Sequence, residues 1–313
     1  MTSAPARVVF LGSGGFAVPV LYRLTHLADI ELVAVVTAPD RPAGRGKQLL
    51  AVPVAQSARN LGLSPMQPAR IRDEAAIEAI RATRPDVGVL ADYGQIVPQA
   101  LLDVPRFGIL NVHPSLLPRH RGATPIPATI LAGDSRTGVT LIQMDAGLDT
   151  GPIVAVDEWP LTGTETGSEL EARAAGAGAG LVATSLGPWL RYEIEPTPQP
   201  AEGATLTKPL KRADGRLDPW RPAAILERQV RAFEPWPGSF LETPVGRLIV
   251  RRATVDDSMS PAAPGVVGPG PDLRLSTSDG WLVLDEVQPA GGRPMPGEDL
   301  LRGRPSLAGT SVD

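Results

Sequence analysis

The stretch RVVFLGSGGFAVPVLYRLTHLA, residues 7–28, sets the fold class. Its first five residues are a short apolar run, and a glycine cluster closes it. Beyond the glycines, apolar residues recur at helical spacing. A buried strand that turns tightly into a helix is the opening half of a βαβ unit. The chain then repeats the theme. ELVAVV (31–36), DVGVLA (86–91), FGILNVH (107–113) and GVTLIQM (138–144) read as strands. AVPVAQSARNLGL (51–63) and DEAAIEAIRATR (73–84) read as helices. Continuous β-branched runs alternating with helices predict an α/β fold with a Rossmann-like, mostly parallel sheet covered on both faces. ELEARAAGAGAGLVATSLGPWL (169–190) has helical spacing, which its glycines weaken.

From about residue 188 the texture changes. GPWLRYEIEPTPQPAEGATLTKPL carries closely spaced prolines and reads as an extended linker of limited flexibility. PAAILERQVRAF (222–233) reads as a short helix opened by Pro222. GRLIVRRATV, DLRLSTSDG and WLVLDEVQP then read as short strands between turns, a small all-β module. The boundary falls near residue 205. The expected division is a catalytic domain over 1–190, a linker over 191–207 and a C-terminal domain over 208–313.

The 313 residues contain no cysteine, which excludes disulfides, thiolate metal sites and a cysteine nucleophile. With three histidines a structural zinc site is not expected, nor is any other metal. The N-terminus lacks the pattern of a signal peptide, and no apolar run reaches the roughly 18–20 residues of a membrane span. A cytoplasmic protein is expected. The net charge of −4 argues against a globally basic nucleic-acid binder but leaves room for local basic patches.

The glycine cluster GSGGFA (12–17) fits the outline of a dinucleotide fingerprint. The full pattern wants an acid at the tip of the second strand, where this chain has Thr37, with Asp40 only later. A tight strand-to-helix turn is the simpler reading.

Two of the three histidines fall in NVHPSLLPRHRG, residues 111–122. Asn111 and His113 lie two apart, so on a strand they share a side. Open α/β sheets bind their ligands at the carboxyl ends of strands. The next strand runs into DAGLDTG (145–151), which supplies Asp145 and Asp149. Asn, His and Asp suit acyl or proton transfer: an amide donor for an oxyanion, a proton carrier and a carboxylate to orient it. The absence of a serine elbow favours direct attack by a bound amine. Residue type and spacing do not choose between Asp145 and Asp149. His26 reads as a surface residue.

NVHPSLLPRHRGATPI followed by GVTLIQMDAGLDTG resembles the signature of the 10-formyltetrahydrofolate-dependent formyltransferase family. PDRPAGRGKQL (39–49), RAFEPWPGSF (231–240) and VQPAGGRPMPGEDLLRG (287–303) resemble the members that formylate methionyl-tRNA. The resemblance runs from VVFLGS to LLRG. It implies catalytic roles for Asn111, His113 and Asp149, which selects the second aspartate. Ser115, Leu116, Leu117 and Pro118 match the segment that borders the folate. The substrates implied are 10-formyltetrahydrofolate and the acceptor arm of initiator methionyl-tRNA, and a monomer is expected. The C-terminal domain is expected to be a small OB-like β-barrel that binds tRNA. Pro114 stands where glycine is common, GSGGFA where G-T-P-x-F-A is frequent, and Asp92 where a small or apolar residue is usual.

The basic loop matches residues 41–47, so Arg41, Arg45 and Lys47 are expected to meet RNA. Lys208 and Lys211, with Arg212 and Arg216, form a second basic cluster, interrupted by Asp214. Arg247, Arg251 and Arg252 form a third. His120, between Arg119 and Arg121, reads as an exposed loop residue, with a contact to RNA or folate as the alternative. Three rivals remain at this level. A formyltransferase for a small amine would lack the basic loop. A nicotinamide oxidoreductase would need the missing strand-end acid. A non-enzymatic RNA-binding protein fits poorly with the acidic charge.

Overall fold

The structure is a computed structural model that describes residues 4–43, 48–260 and 262–312. It divides into two compact units. One comprises residues 1–125, 136–160 and 171–207; the other comprises 126–135, 161–170 and 208–313.

In chain order, the elements up to residue 207 begin with β1 (Ala6–Gly12), α1 (Ala17–Leu24) and β2 (Ile30–Val36). The hairpin β3 (Arg41–Ala43) and β4 (Gln48–Leu50), α2 (Pro53–Asn60) and α3 (Glu74–Ala82) follow. Next come β5 (Val87–Ala91), α4 (Gln99–Leu102), β6 (Ile109–His113), β7 (Arg121–Gly122) and α5 (Pro125–Ala132). β8 (Arg136–Gln143), β9 (Ile153–Pro160), α6 (Gly167–Leu190) and β10 (Leu206–Thr207) complete the series.

The main sheet has the order β2-β1-β5-β6-β8-β9. The first four strands run parallel, as their near-continuous apolar runs require. Val8, Val9, Phe10, Leu11, Val87 and Val89 are fully buried. β8 departs from the expected parallel arrangement: it runs antiparallel to β6, with His113 opposite Thr140 and Leu110 opposite Gln143. β9 then pairs antiparallel with β8. The DAGLDTG loop therefore leaves β8 beside the start of β6, not at its carboxyl end.

The glycines of α6 have a packing use. A Cβ on Gly178 would lie 2.6 Å from Val112 Cγ1 of β6, so glycine lets the helix close on that face of the sheet. Val112 points to α6, and Asn111 and His113 point to the other face.

In the second unit, α7 (Ala223–Ala232) is followed by β11 (Ser239–Thr243), β12 (Gly246–Asp256), β13 (Arg274–Ser276), β14 (Trp281–Pro289), β15 (Met295–Pro296) and α8 (Gly297–Gly303). The antiparallel sheet has the order β11-β12-β14-β13, with β15 also beside β14. Register shifts around Arg252 bend β12 against β14 and help curl the sheet into a half-barrel, which is the form the expected small barrel takes. Leu226 and Val230 of α7 and Leu300 and Leu301 of α8 belong to the same apolar core as Leu248, Val250, Leu282 and Leu284.

Candidate active site

Asn111 and His113 sit at the end of β6, and both side chains are buried. The DAGLDTG loop turns back over β6 and brings Asp149 to them. Asn111 Nδ2 donates to Asp149 Oδ1 at 3.1 Å. Asp149 Oδ2 accepts the Gly122 N–H at 2.8 Å and lies 3.6 Å from His113 Nδ1. Asp149 holds a left-handed backbone, φ 52°, which among non-glycine residues asparagine and aspartate adopt most readily. Asp145 is exposed and instead organises its own loop, accepting from Gly147 N at 3.0 Å and Thr150 Oγ1 at 2.7 Å. Geometry thus separates two aspartates that spacing alone leaves equivalent.

The His113 ring has a defined polarity. Its Nε2 lies 2.9 Å from the His120 carbonyl oxygen. A carbonyl only accepts, so Nε2 carries the hydrogen of the neutral ring and Nδ1 turns a lone pair towards Asp149. Burial holds the His113 pKa below its ordinary 6.5, against the opposing pull of the Asp149 carboxylate and the His120 carbonyl. A neutral imidazole with a free Nδ1 beside a carboxylate is poised to take up a proton, because the cation it forms is then paired.

His120 corrects an expectation. It is buried, not exposed, with φ 60°. Its N–H donates to Thr205 Oγ1 at 2.8 Å, and its carbonyl serves His113. The strand β10 lies along β7, so residues after 200 close over this loop and remove it from solvent. His26 lies just beyond α1 and is exposed, as expected.

The SLLP turn divides by burial. The Ser115 hydroxyl donates to the Arg119 carbonyl at 2.7 Å, and Leu117 N–H donates to Thr140 Oγ1 at 3.1 Å, so these two residues shape the turn. Leu116 and Pro118 keep partial exposure. Pro114 follows the last rung of the β6 ladder, where no further backbone donor is used.

The glycine loop is spent on holding strands together. Ser13 N–H donates to the Asp92 carbonyl at 2.9 Å, and Ser13 Oγ accepts Ala38 N–H at 3.0 Å. A Cβ on Gly14 would meet Asp92 Oδ2 at 1.7 Å, so glycine is needed for that close approach. Asp40, the late acid, is engaged by Gln67 Nε2 at 2.6 Å and Arg59 Nη2 at 3.0 Å. Asp92 has φ 43° and is exposed as a residue, yet the protein crowding its carboxyl, and secondly Glu171, push it up to about 6.

Of the basic residues, Arg41 is exposed at the base of the β3–β4 hairpin, while Arg45 and Lys47 lie outside the described residues. Lys208 and Lys211 are exposed. Arg212 lies over the Trp236 ring at 5.5 Å. The third cluster is largely neutralised: Arg247 pairs with Glu242, and Arg251 with Glu286 at 3.3 Å. Cross-strand carboxylates, invisible along the sequence, are the reason.

One contributor has no sequence signal. Gln199, in the proline-rich segment, donates to the carbonyls of Asp149 at 2.8 Å and Gly151 at 2.7 Å. Fifty residues separate Gln199 from Asp149 along the chain.

Among the described residues no group of three or more histidines, aspartates or glutamates is placed to hold a metal ion, and no helix is long and apolar enough to cross a membrane.

Residues 6–185 match the formyl transferase family, and residues 209–305 match the formyl transferase C-terminal domain. A methionyl-tRNA formyltransferase of Halorhodospira halophila is 46% identical over 310 residues, covering 98% of this chain and 99% of the relative. One from Roseiflexus castenholzii is 44% identical, covering 95% of this chain and 96% of the relative. Among solved structures, an N-formyltransferase from Helicobacter canadensis in complex with folinic acid and dTDP-3-aminofucose superposes with a TM-score of 0.64. It is 16% identical and covers 89% of this chain and 98% of that one, a likeness of fold. Both halves of the sequence and nearly its whole length thus find the same relatives, and the chain belongs to the formyl transferase family.

Proposed function

We propose that this protein transfers the formyl group of 10-formyltetrahydrofolate to the amino group of methionine esterified on initiator tRNA, with Asn111, His113 and Asp149 as its catalytic residues. The observation that carries the reading is the 46% identity to a methionyl-tRNA formyltransferase across 98% of this chain. The buried Asn111–Asp149–His113 arrangement fits that chemistry.

The neutral amine attacks the formyl carbon, a C–N bond forms and the carbonyl oxygen becomes an oxyanion. Asn111 Nδ2 has two hydrogens, and only one is committed to Asp149. The other stabilises the oxyanion without titrating. His113 Nδ1 takes the amine proton, directly or through water, and Asp149 stabilises the imidazolium. The proton then passes to the folate nitrogen as its bond to the formyl carbon breaks and the carbonyl re-forms. Leu116 and Pro118 border the folate. The basic segment that contains Arg41, Arg45 and Lys47 meets the acceptor arm of the tRNA, and Lys208 and Lys211 meet its backbone. The protein acts as a monomer in the cytoplasm.

The test is formylation of charged initiator tRNA with 10-formyltetrahydrofolate, with elongator tRNA and glycinamide ribonucleotide as competing acceptors. Preferential formylation of initiator tRNA is expected. Preference for the small amine would overturn the assignment. A formyltransferase for small amines is the nearest rival, and it gives no account of the basic segment 41–47.

A further inference from the structure

We infer that Gln199 is the positioning residue that sets the Asp149 carboxylate against Asn111 and His113. The inference rests on the reading of Asp149 as catalytic.

Segment 197–207 does more than connect. Thr197 and Ile153 exchange backbone hydrogen bonds at 2.7 and 2.8 Å, which fixes the segment beside the end of the Asp149 loop. Two residues on, the Gln199 amide uses all of its capacity. Its Nε2 donates to the Asp149 and Gly151 carbonyls at 2.8 and 2.7 Å. Its Oε1 accepts from Arg121 Nε and Nη2 at 3.1 and 2.7 Å. Arg121 is in turn fixed by its N–H to the Thr205 carbonyl at 2.9 Å and by Thr207 Oγ1 on its own carbonyl at 3.0 Å.

The result is a closed ring of contacts. The Asp149 carboxylate is held by Gly122 N–H at 2.8 Å, Gly122 follows Arg121, Arg121 grips Gln199, and Gln199 holds the Asp149 carbonyl. Both ends of one residue are therefore tied to a single support. That support matters because the left-handed backbone of Asp149, φ 52°, still costs more than an ordinary conformation, and its contacts hold it there. Only an amide satisfies both sides: a carboxylate at position 199 would face two carbonyl oxygens, and an apolar side chain would leave both carbonyls and Arg121 without their partner.

The test compares Gln199→Leu and the near-isosteric Gln199→Glu with Asp149→Asn. Three quantities are measured: the single-turnover formyl-transfer rate, KM for each substrate, and the His113 titration by NMR, which three histidines make tractable. A loss of about 10–100-fold in rate is expected for both Gln199 variants, with each KM nearly unchanged. The His113 pKa should also fall, because the carboxylate that raises it has moved. A prop with no positioning role would lower the melting temperature and leave rate and titration alone, and that result overturns the inference. Should Gln199→Leu not fold, Gln199→Glu carries the same test. The double variant Gln199→Glu/Asp149→Asn should lose no more than Asp149→Asn alone; additive losses would also overturn it. If Asp149→Asn keeps the wild-type rate, it is the reading of Asp149 that fails. If Asp149→Asn is crippled and the Gln199 variants are not, this inference alone fails.

Discussion

His113 turns Nδ1 towards Asp149 Oδ2 at 3.6 Å while its Nε2 is tied to the His120 carbonyl at 2.9 Å. One nitrogen is thereby committed to a backbone carbonyl, and the other faces a carboxylate. The separation from Asp149 leaves space for the proton that the imidazolium would carry.

Removing Asn111 or His113 should slow the reaction without unfolding the domain. Asn111→Ala and His113→Ala are expected to slow formyl transfer by about 10²–10³-fold, the usual effect of losing an oxyanion donor or a proton carrier. Single-turnover kinetics beside thermal melts check this. Near-normal rates in either variant would remove Asn111 or His113 from the mechanism.

The pH dependence has a defined sign. Burial keeps the His113 pKa below 6.5, so the neutral, proton-accepting ring persists through neutrality and is lost only at lower pH. The His113 titration followed by NMR should therefore have its midpoint below pH 6.5. Asp149→Asn removes the attraction that opposes burial, so the His113 titration should move lower still. An upward shift in that variant would contradict the pairing.

Recognition of the tRNA should be separable from the chemistry. Replacing Arg41, Arg45 and Lys47 together is expected to raise KM for tRNA strongly and leave folate binding unchanged. The salt dependence of tRNA binding should flatten by roughly 2–3 in log–log slope if all three meet phosphates. Equal weakening of both substrates would instead make the segment structural.

Asp92 is expected to cost stability at neutral pH. Its folded pKa of about 6 lies above the ordinary 3.8, so the folded state prefers the protonated carboxyl. The favourable contribution is complete below pH 3.8 and is lost as pH rises through about 6. Asp92→Asn keeps the shape and removes the charge, and should stabilise the protein at pH 7–8 by about 1 kcal/mol once solvent screening is allowed for. The gain should vanish near pH 4. Denaturant melts at both pH values check it, and an equal gain at each would show that charge is not the cause.

Much of the architecture is legible in the sequence because it rests on local periodicity. The apolar runs of β1, β2, β5 and β6, the helical spacing of α1, α2, α3 and α7, and the pairing of Asn111 with His113 on one strand face all follow from side-chain spacing. The resemblance to the formyltransferases rests on motifs such as NVHPSLLP and DAGLDTG, which are properties of the sequence alone. What only the tertiary structure decided are relations between segments far apart in the chain. β8 runs against β6, so the aspartate loop arrives from the opposite end of the strand. Asp149 rather than Asp145 reaches β6, because its left-handed backbone and the Gly122 N–H aim its carboxylate there. His120 is buried by a segment more than eighty residues downstream. Arg247 and Arg251 are neutralised by carboxylates on neighbouring strands. Spacing along a chain encodes which face a residue shares with its near neighbours. It does not encode which distant hydrogen-bond partner will meet it, and the orientation of Asp149 depends on such partners.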